Sequence, residues 1–262
     1  MITMVVHGGA GHWREEQRAR ARQGIQAAVD AGHAILRQGG SALDAVQRAV
    51  VILEDDPVFN AGRGAVSDEL GNVSHDASIM RGSDRAAGAV AAVTGMRNPI
   101  QAARAVLDEG RHVLLVGLQG SDTASDATGG GGNTVGAVAR DLHGHLAAAT
   151  STGGISGKHP ARVGDSALIG AGTWASDTVA VSCTGDGEGI IRVALAHEID
   201  ALVRHAHLPL DHAADRALHQ LAPFGTGGLI ALGADGAPAT PFTTRAMPRA
   251  VRIGDHPARI DV

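Results

Sequence analysis

The chain of 262 residues carries 22 basic and 27 acidic side chains, and its net charge of −5 argues against nucleic-acid partners, since phosphate backbones are bound by clustered positive charge. The single cysteine, Cys183, excludes an intramolecular disulfide framework and a zinc site built on several thiolates. No apolar run approaches the ~20 residues of a membrane helix, so we expect a cytoplasmic protein with no membrane partner.

Hydrophobic periodicity and turn residues predict the elements of the front half of the chain. Ser41 has the chemistry of a helix N-cap, and Asn98 and Pro99 that of a helix start. The predicted elements are, in chain order, a strand over 2–6, helices over 15–37 and 42–53, a loop over 57–64, strands over 72–80 and 87–94, a helix over 98–109 and a strand over 112–116.

Residues 120–133 have no apolar periodicity and include four consecutive glycines, which predicts a flexible linker. The predicted elements after the linker are strands over 134–140 and 146–151, a strand over 178–183, helices over 188–205 and 210–221, and a strand over 228–232. Strands and helices cluster separately, so the pattern favours an α+β fold over a parallel βαβ repeat.

Thr134 begins a strand directly after this linker. A threonine hydroxyl is a weak nucleophile, but at a new chain start the α-amine, with a pKa near ~7.7–8.0, serves as its base. The linker would supply the slack for a cut between Asn133 and Thr134. The alternative is a β-branched residue that merely begins a strand.

The hairpin predicted around the turn at 141–144 places Thr134 opposite Thr152, because their positions average to 143. Residues paired across a ladder point to the same face. The Thr152 hydroxyl would then orient that of Thr134, and a plain stabilising Thr–Thr pair is the alternative.

Two Gly-rich loops carry further candidates. Arg162 and Asp165 offer a bidentate clamp for a carboxylate and an acceptor for an ammonium, which suits a free amino-acid head group; a local surface salt bridge is the alternative. In the loop from Thr184 to Glu188, backbone N–H groups at a helix start and the Thr184 hydroxyl would form an oxyanion hole. The GDG sequence there matches no nucleotide-binding fingerprint.

The histidines do not predict a metal site. His197 begins a segment similar to H-E-x-x-H, but Ala201 stands where the second histidine should be. Histidines near predicted helix ends are expected to be solvated; these are His205, His207, His212 and His219. Cys183 is expected to be an inert buried thiol.

Together these pieces resemble the plant-type L-asparaginase and isoaspartyl peptidase family of N-terminal nucleophile hydrolases, over nearly the whole chain. The motifs that carry the resemblance are His7–Gly11 (HGGAG), Gly40–Val46 (GSALDAV), Pro57–Gly62 (PVFNAG), His75–Met80 (HDASIM), Asn98–Ile100 (NPI), Thr134–Ala139 (TVGAVA), Ala149–Gly154 (ATSTGG), Arg162–Ser166 (RVGDS) and Cys183–Gly185 (CTG). Asn133 departs from the Gly or Asp that is more usual before the nucleophile.

The resemblance implies a four-layer αββα sandwich and a single hydrolase domain over 1–262. It implies self-cleavage at Asn133–Thr134 into an α-subunit (1–133) and a β-subunit (134–262) that stay together, and a dimer of such units. Thr134 would be the nucleophile and, through its new amine, the base. No cofactor for catalysis is implied.

The resemblance also assigns roles to other residues. Thr152 would support the Thr134 hydroxyl, Thr184 and Gly185 would stabilise the oxyanion, and Asn60 would lie beside the site. The substrate would be bound by Arg162, Asp165, Gly185 and Gly187. A structural sodium ion would be held by the backbone carbonyls of Leu53, Glu54, Asp56, Phe59, Ala61 and Arg63.

The expected function is that of a self-processing amidohydrolase that acts on β-aspartyl peptides and L-asparagine and releases L-aspartate. Two alternatives stay open at this point. One is a glycosylasparaginase-like amidase, and the other is an uncleaved, catalytically silent relative that binds aspartate-like ligands.

Overall fold

The computed structural model describes residues 1–121 and 134–262. The strands are β1 (Thr3–His7), β2 (His75–Arg81), β3 (Ala87–Val93), β4 (Leu114–Val116), β5 (Val135–Arg140), β6 (Leu146–Thr152), β7 (Thr173–Ala175), β8 (Val179–Gly185), β9 (Gly227–Gly233), β10 (Pro238–Ala239), β11 (Arg249–Ile253) and β12 (Arg259–Asp261). The helices are α1 (Glu15–Arg37), α2 (Ala42–Asp55), α3 (Pro99–Glu109), α4 (Gly187–Val193), α5 (Leu195–Ala206) and α6 (Leu210–Leu221). Single 3₁₀ turns lie at Gly62–Gly64 and Asp165–Ala167.

The described strands form two sheets. The larger has the order β12-β11-β1-β5-β6-β2-β3-β4, and the smaller has the order β10-β9-β8-β7. Neighbouring strands among them pair antiparallel, apart from the parallel pair β3–β4. The predicted mixture of helices with antiparallel strands is confirmed.

Buried apolar side chains form three clusters that hold these elements together. One lies between the larger sheet and α1, α2 and α3, and a second lies between the smaller sheet and the helices α4 to α6. The third, which includes Val5, Val138 and Ile230, lies between the two sheets. The central strands are therefore covered on both faces, which is why they read as continuous apolar runs in the sequence.

The predicted helix boundaries are largely confirmed, and the chemistry of their ends explains them. Ser41 Oγ accepts a hydrogen bond from the Asp44 amide at 3.1 Å and caps α2, an interaction of about 1 kcal/mol. Pro99 begins α3, and Gly110 ends it in the left-handed conformation with φ 72°.

One prediction about the helices is wrong. The single helix expected over 188–205 is two helices, α4 and α5, separated by Ala194 in the left-handed conformation. The amides of Ala196 and His197 donate to the carbonyls of Ala171 and Gly170 at 3.1 and 2.9 Å. The chain therefore begins a new helix at a site fixed by a distant loop, which local composition does not show.

The predicted linker over 120–133 lies outside the described residues, except for Gly120 and Ser121. Asn133 lies outside them as well. Among the helices described, none is long and apolar enough to cross a membrane.

Candidate active site

The hairpin of β5 and β6 brings the two predicted threonines together. Val135 pairs with Ser151, so Thr134 and Thr152 occupy the next opposed positions, as predicted. Thr134 Oγ1 donates to Thr152 Oγ1 at 3.0 Å, and the Gly154 amide donates to the same oxygen at 3.0 Å. The Thr152 hydroxyl is therefore fixed in place beside that of Thr134.

A cavity next to this pair collects side chains from distant parts of the sequence. It is lined by Asn60, Thr134, Thr152, Gly154, Ile155, Arg162, Asp165 and Gly185. The six residues among them that the sequence singled out, which are Asn60, Thr134, Thr152, Arg162, Asp165 and Gly185, thus face one space. The other two site candidates, Thr184 and Gly187, lie behind this lining.

Arg162 is oriented by an ion pair that the sequence did not predict. Its Nε and Nη2 donate to the Glu188 carboxylate at 2.9 and 3.1 Å. The local salt bridge with Asp165, considered as an alternative, is not the ion pair that forms. Glu188 begins the first turn of α4, and an acidic residue at a helix start is the one local signal that pointed to it.

Asp165 is buried, and its Oδ2 has no hydrogen-bond partner among the described residues. Burial raises the pKa of Asp165 to about 7, although the nearby Arg162 guanidinium acts in the opposite direction. An unsatisfied acceptor that faces a cavity beside a guanidinium is suited to a ligand that brings its own positive charge.

Two glycines leave room for this pair of charges. A Cβ at Gly187 would lie 2.8 Å from Arg162 Nη2 and 2.8 Å from Asp165 Oδ1. Gly185 has φ 141°, and a Cβ there would lie 2.5 Å from the Thr226 carbonyl oxygen. Larger residues at either position would displace the site.

Asn60 and Thr184 hold loops rather than reach into the cavity with free groups. Asn60 Nδ2 donates to the Gly154 carbonyl at 2.6 Å, and its Oδ1 accepts from the Val66 amide at 3.0 Å. Thr184 is fully buried, and its Oγ1 accepts from the Ala10 amide at 3.1 Å.

The six residues of the expected sodium site lie at the end of α2 and in the turn that follows it. A Cβ at Gly62 would lie 2.5 Å from the Glu54 carbonyl oxygen, and the Phe59 carbonyl oxygen approaches Gly64 as closely. The turn thus gathers backbone oxygens, which are hard ligands that suit a hard cation. Burial raises the pKa of the Glu54 side chain to about 8, against hydrogen bonds from Ser151 and Ile100.

The described residues contain no group of three or more His, Cys, Asp or Glu side chains placed to hold a metal ion. His197 instead packs edge-to-face on Trp174, with ring centroids 4.8 Å apart. Cys183 is fully buried, and burial raises the pKa of its thiol well above the usual value.

Comparisons with known proteins agree with this arrangement. The sequence profile of the asparaginase family matches residues 1–129 and 118–260. The isoaspartyl peptidase of Salmonella typhimurium is 41% identical over 294 residues, which cover 94% of this chain and 94% of that protein. The Escherichia coli isoaspartyl peptidase is 40% identical, with 94% and 91% covered. The Bos taurus isoaspartyl peptidase/L-asparaginase is 41% identical, with 94% and 91% covered.

Proposed function

The chain belongs to the asparaginase family, and from this premise we propose that it is a self-processing hydrolase of β-aspartyl peptides and L-asparagine. The observation that carries the proposal is the hydrogen-bonded pair of Thr134 and Thr152 at a cavity that also holds Arg162 and Asp165. A nucleophile and the two charges of an amino-acid clamp thus share one site.

The two substrates have the same reacting part. L-Asparagine and a β-aspartyl peptide each carry a free α-amine and a free α-carboxylate, with the scissile amide on the side-chain carbonyl. Arg162 would bind the carboxylate, and Asp165 would accept hydrogen bonds from the ammonium. Gly185 and Gly187 would leave space for this head group, so one clamp serves both substrates.

The chemistry follows from a free α-amine at Thr134. The amine takes the Oγ1 proton as Oγ1 attacks the side-chain carbonyl carbon, and then gives that proton to the leaving nitrogen, which departs as ammonia or a peptide amine. Water hydrolyses the resulting β-aspartyl ester, which releases L-aspartate and restores the Thr134 hydroxyl.

Neighbouring groups would support the charged intermediate. Thr152 would orient Oγ1, while the Thr184 hydroxyl and the Gly185 main chain would stabilise the negative oxygen. Asn60 would act indirectly, because its amide holds the Gly154 carbonyl.

Self-cleavage would create the required amine. We propose that Thr134 Oγ1 attacks the carbonyl carbon of Asn133 and that water cleaves the ester, which yields chains of 1–133 and 134–262. The two sheets with helices on their outer faces would form the four-layer αββα sandwich of one hydrolase domain. Two such units would associate as a dimer, which sedimentation tests.

A structural sodium ion is a further part of the proposal. The backbone carbonyls of Leu53, Glu54, Asp56, Phe59, Ala61 and Arg63 would hold it, and the inward carbonyls around Gly62 and Gly64 support this site. Its function would be to fix the turn that carries Asn60, with no part in the chemical steps.

Intact mass spectrometry of the purified protein and of Thr134→Ala tests the proposal first. The parent protein should give two masses that divide at Asn133–Thr134, and the variant should give one. The cleaved parent should release aspartate from a β-aspartyl dipeptide and from L-asparagine, but not from the α-linked dipeptide of the same composition.

Two results would overturn the proposal. A parent chain that stays whole and inactive for days points to a silent relative that only binds aspartate-like ligands. Hydrolysis of a glycosylated asparagine in preference to both substrates points to a glycosylasparaginase-like amidase.

A further inference from the structure

A continuous row of polar side chains crosses the buried space between the two sheets. His7 Nε2 on β1 lies 3.0 Å from Ser182 Oγ on β8, and Ser182 Oγ lies 2.7 Å from Thr150 Oγ1 on β6. Thr173 Oγ1 on β7 donates to Thr150 Oγ1 at 2.5 Å, and Ser78 Oγ on β2 donates to Thr173 Oγ1 at 2.7 Å. We call these five residues the hydroxyl chain.

The hydroxyl chain is fully buried, with each of its five members at 0% exposure. Elsewhere between the sheets the facing side chains are apolar, as at Val5, Val138 and Ile230. Apolar residues of similar volume would pack this space without the desolvation that polar groups require. A satisfied polar network in such a place fixes one arrangement of its members, because any other leaves a buried group unpartnered.

One end of the hydroxyl chain lies beside Thr134. His7 pairs with Gly136 across β1 and β5, and a Cβ at Gly136 would overlap both the His7 ring and Ser182 Oγ. Burial lowers the pKa of His7 to about 3, and a hydrogen bond with the Thr134 main chain opposes this to a smaller extent. The ring is therefore neutral at neutral pH and contacts the backbone of Thr134.

The hydroxyl protons give the hydroxyl chain a direction. Ser78 donates to Thr173, and Thr173 donates to Thr150. If the same direction continues through Ser182, His7 Nε2 accepts and the ring proton lies on Nδ1. The hydroxyls thus fix both the orientation and the tautomer of the histidine.

We propose that the hydroxyl chain positions the nucleophile: it fixes the His7 ring, and the ring holds the main chain of Thr134 so that Oγ1 faces the scissile carbonyl. The inference rests on the proposed function of Thr134. His7, Ser182 and Thr150 are positioning residues, since the substrate head group is assigned to Arg162 and Asp165.

Two substitutions at Thr150 separate the hydroxyl from the packing. Thr150→Val keeps the shape and removes the hydrogen bonds, whereas Thr150→Ser keeps the hydroxyl and removes a methyl group. Each purified protein is scored for the cleaved fraction by intact mass, and kcat and KM for a β-aspartyl dipeptide are then expressed per cleaved molecule.

We expect Thr150→Val to cleave more slowly and to lose roughly tenfold to a hundredfold in kcat, with KM within twofold of the parent, because a displaced nucleophile slows chemistry without changing head-group binding. Thr150→Ser should restore kcat to within a fewfold. A valine variant that matches the parent, or a serine variant that fails as badly as valine, would overturn the inference.

Ser176→Ala is the matched control. Ser176 is also fully buried and donates to Asp200 at 2.8 Å, outside the hydroxyl chain. It should lower the thermal midpoint and leave kcat and KM within twofold, and an equal loss of kcat there would reduce the hydroxyl chain to a general stabilising feature. Failure of the proposed function looks different, because then the parent itself is uncut or inactive.

Discussion

Replacement of Asp165 by Asn is expected to stabilise the protein at pH 8 while it weakens substrate binding. Asp165 is 4% exposed, and burial raises the pKa of its carboxyl from 3.8 to about 7. Each pH unit between these values corresponds to about 1.36 kcal/mol, so ionised Asp165 lowers the free energy of unfolding by on the order of 4 kcal/mol. Asn keeps the shape and carries no charge.

The sign of the effect fixes its pH dependence. Below pH 3.8 the folded and the unfolded chain both hold the proton, so Asp165 costs nothing. As the pH rises toward about 7 the unfolded chain ionises first, and the parent loses stability relative to the Asn variant. Above about pH 7 both states are ionised and the difference is constant.

Urea unfolding at about pH 4.5, 6 and 8 measures this difference. Both proteins carry Thr134→Ala, so that each remains one polypeptide and unfolds as one. Asp200→Asn is the control, because Asp200 is equally buried but its carboxylate accepts from Ser176 and Arg204. That variant is expected to be less stable than the parent.

An Asp165→Asn variant that is less stable than the parent at pH 8 would refute the reasoning, as would a stability difference that does not change with pH. In the cleaved enzyme the same substitution should raise KM by about two orders of magnitude, since the substrate ammonium loses its charged acceptor. For the parent enzyme, kcat/KM should fall below about pH 7 as Asp165 becomes protonated.

Four further predictions concern the same site. Arg162→Ala should fold and raise KM on the order of 100-fold in steady-state assays, since a charge-assisted clamp is lost, and an unchanged KM would place the clamp elsewhere. Gly187→Ala should raise KM as well, because its Cβ would lie 2.8 Å from Arg162 Nη2. Thr152→Val should lower kcat about tenfold with KM unchanged, and Thr152→Ser should recover most of it. Exchange of sodium for choline at constant ionic strength should lower the thermal midpoint, and identical melting curves would count against the cation site.

Some elements escaped the sequence because their residues are polar or their partners are distant. β11 and β12 carry Arg249, Arg252, Arg259 and Asp261, so neither has the apolar run that marked the central strands. β11 nevertheless pairs with β1 along its whole length. Pairing between the first and last strands of a chain follows from chain topology, which local patterns do not record.

The contacts within the site show the same division. Glu188 was visible as an acidic residue at a helix start, but its ion pair with Arg162 depends on how two loops meet. The sequence showed His7 within a Gly-rich motif, whereas its contact with Ser182 spans 175 residues. Neither pairing is implied by spacing.

The sequence by itself determined the helices and central strands, through their periodicity, and the opposition of Thr134 and Thr152, through their symmetric distance from a turn. Those features depend on interactions between near neighbours in the chain. Only the tertiary structure decided that Asn60, Arg162 and Gly185 share a cavity, and that Asp165 is buried enough to raise its pKa to about 7. Burial and charge depend on every element packed around a group, so they exist only once the whole chain has folded.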